Sequence, residues 1–226
     1  MSQRIYDIFG GVCLGLLIAM LGVMGIGSLN QQVTKEEALK PWFDIPKKVQ
    51  DKLIAKHADV TIKGFSGSGC EIKPGYYLTS LHVITNAILD GTVISVNGQK
   101  AEVAWKSSTD EDYAVLTTWA EYDKGKPEFT PSDNFGDNTN IILVGNPGDQ
   151  EKLVQPAKII RSAVDNDKKT KDYAKIISAQ YVDFGLSGGC AYSQDGETLL
   201  GVLTNMYQNP GSTVAEITVV GRPTDK

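Results

Sequence analysis

The chain reads as all-β, a barrel or a sandwich, with one apolar segment near its amino terminus. Three observations predict this. Beyond residue 59 the sequence breaks into apolar runs of five to nine residues, at 60–65, 75–80, 92–96, 101–105, 114–119, 140–144, 152–160, 173–178, 199–205 and 214–220. Gly, Asn, Asp and Pro punctuate them, and short strands at such spacing are the mark of a β-barrel or sandwich. Between two of these runs stands Asn97-Gly98, a two-residue hairpin turn signal. Helical patterning lies mainly before residue 58, with a turn or short helix expected after His82.

At 226 residues and 24.4 kDa the chain can hold one domain with a sizeable core plus a short extension, with no room for a second module. A balance of 22 basic against 27 acidic residues gives a net charge of −5, which leaves no basic footprint for nucleic acid. Two histidines and three cysteines, without a Cys-x-x-Cys pair or a His-Glu-x-x-His motif, are too few ligands for zinc. A metalloprotease is excluded on that ground, and neither a metal nor a cofactor is expected.

Taken in order, residues 8–29 carry no charge. At about 1.5 Å per residue this length crosses a hydrocarbon core of about 30 Å, and it exceeds the apolar region of a cleaved signal peptide. The expectation is therefore a tail and transmembrane anchor over 1–29. Gly11, Gly15 and Ala19 fall four apart, a stripe that would let two such spans pair in a homo-oligomer. Cys13 within the span reads as a small apolar filler. Residues 30–57 form a linker with a capping-box pattern at Thr34 and Glu37, then a helix opened by Pro46 with Val49, Leu53 and Ile54 on one face. His57 at its end reads as a surface histidine suited to the helix dipole, outside any site. Residues 58–226 form the β domain, in which the charged stretch 165–171 reads as a solvated hairpin loop.

The chemistry centres on Phe184-Gly185-Leu186-Ser187-Gly188-Gly189-Cys190. A serine hydroxyl attacks only when a base takes its proton, and the oxyanion that follows needs backbone N–H donors around it. Glycines on both sides leave the backbone free to turn those donors inward. By itself the motif is equally a glycine-rich turn. Partners are present, however: His82 lies at the end of the apolar run 77–84, and Asp112 lies directly before the run that starts at Ala114. The order His, Asp, Ser is one of several that build a base-orienting triad. Asp110 and Glu111 are the rivals of Asp112, and the loop before the strand suits both.

Five blocks together resemble a known family. Gly67-Ser68-Gly69, Leu78-Thr79-Ser80-Leu81-His82-Val83-Ile84, Asp112-Tyr113-Ala114-Val115-Leu116, Val144-Gly145-Asn146-Pro147 and Gly185-Leu186-Ser187-Gly188-Gly189 are similar to the protease domain of trypsin-like serine peptidases of the HtrA/Deg type, over residues 59–221. Asp112 follows His82 by 30 residues and Ser187 follows Asp112 by 75, which suits the family. The resemblance implies two six-stranded antiparallel barrels of the chymotrypsin kind with the triad between them. It implies Ser187 as nucleophile, His82 as general base, Asp112 as orienting carboxylate, and the N–H groups of Gly185 and Ser187 as the oxyanion hole. It also implies action on protein or peptide substrates outside the cytoplasm, here without a PDZ module after the barrels.

The same resemblance places the pocket for the residue before the cut bond at Tyr181 and Val182 on one wall and at Thr204 and Asn205 on the other. The Thr204 hydroxyl is expected near Asp112. Without a carboxylate at the base of that pocket, small or medium apolar side chains are the expected substrates, since an unpartnered buried cation costs several kcal/mol. Cys70 and Cys190 fall on neighbouring segments of the implied fold, where they either form a disulfide or remain buried thiols. Two residues depart from the family pattern: Leu186 replaces a polar residue and Cys190 replaces proline. Leu186 keeps a second function class open, a catalytically silent, membrane-tethered peptide-binding module.

Overall fold

A computed structural model describes residues 43–120, 136–147, 152–164, 170–206 and 212–220, with side chains 164, 170–172 and 212 left aside. The expected span at 8–29, the capping box at Thr34 and Glu37, and most of the 165–171 loop lie outside these residues. Among the described residues no helix is long and apolar enough to cross a membrane.

Among the described residues, twelve strands form two closed antiparallel barrels. The first contains β1 (His57–Ile62), β2 (Phe65–Lys73), β3 (Tyr76–Ser80), β4 (Ile94–Val96), β5 (Gln99–Lys106) and β6 (Tyr113–Thr117), closed in the order β1-β2-β3-β6-β5-β4. The second contains β7 (Asn140–Gly145), β8 (Leu153–Val164), β9 (Thr170–Val182), β10 (Cys190–Ser193), β11 (Leu199–Met206) and β12 (Ser212–Val219), closed as β10-β11-β12-β9-β8-β7. Helix α1 (Lys47–Lys56) precedes the first barrel, and α2 (Leu81–Asp90) follows β3.

Alternation along the strands explains why some runs are continuously apolar. On β7, Ile141 and Leu143 enter the core of the second barrel, while Ile142 and Val144 face the first barrel. On β6, Ala114 and Leu116 fill the first barrel while Tyr113 and Val115 face the second. A strand buried on both faces shows no polar alternation. The layer between the barrels also takes Leu78, Tyr192, Val202 and, from α1, Leu53. Each fully buried side chain of this size contributes roughly 1.5–3 kcal/mol of transfer free energy.

Three expectations need correction. The predicted strand 60–65 spans a hairpin, because Lys63 and Gly64 turn the chain, with Gly64 at φ +77°, and a separate strand starts at Phe65. The run ending at His82 is strand only to Ser80, and His82 belongs to a ten-residue helix. His57 is no surface residue: it leaves α1 in an extended conformation, opens β1 and is 3 % exposed. Its ring shares the Asp59 and Thr61 face of β1, opposite Ala58 and Val60 in the core of the first barrel, and Nε2 lies 3.1 Å from Asp59 Oδ1.

Candidate active site

Helix α2 brings the first two functional side chains together. Its N-cap residue, Ser80, does not cap it, since the Ser80 hydroxyl donates to the Leu203 carbonyl on β11 at 2.6 Å. The cap comes instead from Asp112. The Asp112 carbonyl accepts the N–H of Leu81 at 3.1 Å, and its Oδ1 accepts the N–H of His82 at 2.8 Å. A carboxylate there satisfies orphan helix donors and suits the positive end of the dipole. The other oxygen, Oδ2, lies 2.6 Å from His82 Nδ1. A carboxylate accepts only, so Nδ1 carries the proton and Nε2 presents its lone pair. Asp112 reaches this position in the left-handed region at φ +54°, uncommon outside glycine. Of its rivals, Asp110 is exposed in the preceding turn and Glu111 is buried, 8 % exposed, without touching the ring.

Ser187 lies in the loop between β9 and β10. Gly185 and Gly188 adopt φ +88° and +85°, conformations that side chains resist. A Cβ on Gly188 would also stand 2.1 Å from the Ser68 carbonyl oxygen. The loop is pinned on several sides: Leu186 N–H to the Asp183 carbonyl, Gly188 N–H to the Leu203 carbonyl, and the Ser187 carbonyl to Ser68 N–H at 2.8 Å. Leu186, the departure from the family pattern, is fully buried in the core of the second barrel. Among the described residues neither Gly185 N–H nor Ser187 N–H donates to a protein acceptor. The loop approaches helix α2 at Gly67, where an added Cβ would touch both the Ser187 carbonyl oxygen at 3.0 Å and the side chain of Val83, the residue after His82. No hydrogen bond joins the Ser187 hydroxyl to the His82 ring among the described residues; in unliganded sites such bonds are often long.

The neighbouring pocket residues are only partly as expected. Tyr181 is half-buried, its backbone held from both sides by the buried Gln155 side chain at 2.9 and 2.6 Å. Its hydroxyl donates to Asp183 Oδ2, and burial together with that carboxylate holds the phenol up at about 12. The other Asp183 oxygen accepts Phe184 N–H at 2.7 Å. Val182 offers no surface to a ligand: it is fully buried in the core of the second barrel. Thr204 is nearly buried and its hydroxyl meets Thr218 Oγ1 at 3.3 Å, not Asp112, because a bulge between Leu203 and Asn205 sets the register of β11 on β12. Asn205 is exposed.

Cys70 and Cys190 form a disulfide with Cα atoms 6.1 Å apart, tying β2 of the first barrel to β10 of the second. Sequence reasoning missed Ser68, Asn146 and Gln155 as supports of the site. Ser68 and Asn146 stand within the quoted blocks, but only their partners across the barrel interface give them a role.

No protein-family model matches the chain, and no curated protein matches it. Solved structures do. Rv3671c from M. tuberculosis H37Rv, in an inactive form, superposes with a TM-score of 0.60 at 18 % identity, over 78 % of this chain and 87 % of that one. The HtrA-type protease AlgW, solved with a tripeptide, gives 0.58 at 20 % identity, over 76 % of this chain and 58 % of AlgW. Deg5 gives 0.56 at 17 % identity, over 79 % and 91 % of the two chains. The fold is that of the trypsin-like protease domain.

Proposed function

We propose that the protein is a serine endopeptidase. The observation that carries this reading is the Asp112 carboxylate bonded to both the ring and the backbone N–H of His82, across Gly67 from a serine loop with two unengaged N–H groups. Ser187 Oγ attacks the carbonyl carbon of the scissile peptide while His82 Nε2 takes its proton. Asp112 stabilises the imidazolium that results. The oxyanion is received by the N–H groups of Gly185 and Ser187, a donor in such a hole contributing about 2.7–4 kcal/mol to the transition state. His82 returns the proton to the leaving amine, and water, activated by the same ring, releases the acyl group from Ser187.

Substrates are cut after small or medium apolar residues. Tyr181 presents an aromatic surface, and the nearby Asp183 gives one oxygen to its hydroxyl and the other to Phe184 N–H, so a cation entering the pocket would have to compete for that carboxylate. The chain acts from a membrane, anchored by residues 8–29, with the barrels outside the cytoplasm. The Cys70–Cys190 disulfide supports an oxidising compartment.

The test is labelling with a fluorophosphonate probe beside a Ser187→Ala control. Labelling that disappears in the control is expected; a wild-type chain that takes no label would overturn the assignment.

A further inference from the structure

Ser68 grips the nucleophile loop at two points. Its backbone N–H donates to the Ser187 carbonyl at 2.8 Å, and its hydroxyl donates to the Gly185 carbonyl at 2.7 Å. These are the two residues whose own N–H groups have no protein acceptor among the described residues and are assigned above to the oxyanion hole. The direction of the hydroxyl bond is forced, because Ser68 Oγ also receives the backbone N–H of Asn146 at 2.7 Å, and an N–H can only donate. The single hydroxyl proton is therefore left for Gly185. Ser68 is wholly buried, and its own carbonyl is held by the Thr79 hydroxyl at 2.7 Å.

The chain of bonds continues away from the site. Asn146 Nδ2 donates to Asp59 Oδ1 at 3.2 Å, and the same oxygen lies 3.1 Å from Nε2 of the buried His57. Asn97 fixes Asp59 in turn, accepting its N–H on Oδ1 at 2.9 Å and donating its own N–H to the Asp59 carbonyl at 2.9 Å. The path runs from β1 in the first barrel to the end of β7 in the second, returns to β2 and ends on the loop.

We propose that Ser68 is a positioning residue for the oxyanion hole, its hydroxyl aimed by Asn146, with Asp59 and His57 bracing Asn146 from behind. The peptide plane after Gly185 is clamped at both ends, by Ser68 on its carbonyl and by the Asp183 carbonyl on Leu186 N–H at 3.2 Å. With that plane held, the preceding plane, which carries the Gly185 N–H, can turn only about the φ and ψ of Gly185 against a fixed neighbour, and the N–H keeps the direction the oxyanion hole needs. Without the clamp the glycine is free to rotate, and the hole loses a donor. This rests on the protease reading given above.

The experiment compares wild type, Ser68→Ala and Ser68→Thr in the full chain. In Ser68→Ala, kcat falls by about tenfold or more while KM stays within about twofold, because one buried donor is lost at a step that only the transition state feels. Ser68→Thr, which keeps the hydroxyl, recovers most of the rate. Amide hydrogen exchange supplies a readout independent of turnover: Leu186 and Gly188 exchange about tenfold faster in Ser68→Ala, whereas amides of β11 and β12 do not change. If Ser68→Ala fails to fold, Asn146→Ala, which keeps the backbone N–H on Ser68 but loses the bond to Asp59, decides the bracing: faster exchange at Leu186 is expected, and unchanged exchange overturns the role of Asp59 and His57. A wild-type chain that turns over but loses neither rate nor protection in Ser68→Ala overturns the clamp alone. A wild-type chain without labelling at Ser187 overturns the protease reading, and exchange then decides the clamp.

Discussion

Asp112 holds His82 at two points, its Oδ2 2.6 Å from the ring Nδ1 and its Oδ1 2.8 Å from the backbone nitrogen. One carboxylate thus caps α2 and fixes the tautomer of the ring the helix carries. Replacing Ser187 or His82 by Ala should lower turnover of a susceptible peptide by on the order of 10⁶, because members of such a unit fail together. Asp112→Asn should cost about 10⁴, since an amide can donate to Nδ1 and stabilise the wrong tautomer. Steady-state kinetics on a fluorogenic peptide measure both, and near wild-type activity in His82→Ala would refute the assignment.

The disulfide between Cys70 and Cys190 closes a sequence separation of 120 residues and links the two barrels. Its loss should cost about 2–5 kcal/mol. For a domain of this size each kcal/mol shifts the melting temperature by roughly 2–4 °C. Thermal unfolding of the Cys70→Ala, Cys190→Ala double variant, or of wild type under reductant, should show that drop; identical melting curves would be incompatible with the bond.

His57 gives the fold an acid-sensitive component. Burial disfavours the charged ring and lowers its pKa from the ordinary 6.5; Lys152 acts the same way, while Asp59 opposes by hydrogen bond and charge without prevailing. The unfolded chain therefore binds the proton first. Stability from this group is complete above about pH 6.5 and is lost as the pH falls from there through the lower folded-state value. A His57→Gln variant keeps a donor for Asp59 and cannot titrate. Denaturant unfolding between pH 7 and 5 should show a shallower decline for the variant, and parallel profiles would rule the contribution out.

In the pocket proposed beside Ser187, the Tyr181 hydroxyl donates to Asp183. Profiling with a peptide library should give Val, Ala or Leu before the cut in wild type. In Tyr181→Phe, Asp183 loses its phenol partner, and cleavage after Lys or Arg should rise by about tenfold in kcat/KM, the scale of a charge-assisted hydrogen bond. A wild-type preference for Lys or Arg would contradict the pocket as described.

By itself the sequence determined the all-β class, the helix before the barrel, and the pairing of His82 with Asp112. The first two are local properties: period-2 runs between turn residues and a proline-led helix, each legible within a few positions. Resemblance of five ordered blocks supplied the double barrel, which no single run encodes. Only the tertiary structure decided the environment of each side chain. Val182 and Leu186 went to the core of the second barrel, Thr204 turned to Thr218 through a bulge, and His57 was buried beside Asp59 on the face of β1 opposite the barrel core. Ser68 and Asn146 acquired their place beneath Gly185 the same way. Hydrogen bonds between segments 78 and 117 residues apart depend on how the barrels close on one another, and residue type alone carries no record of that.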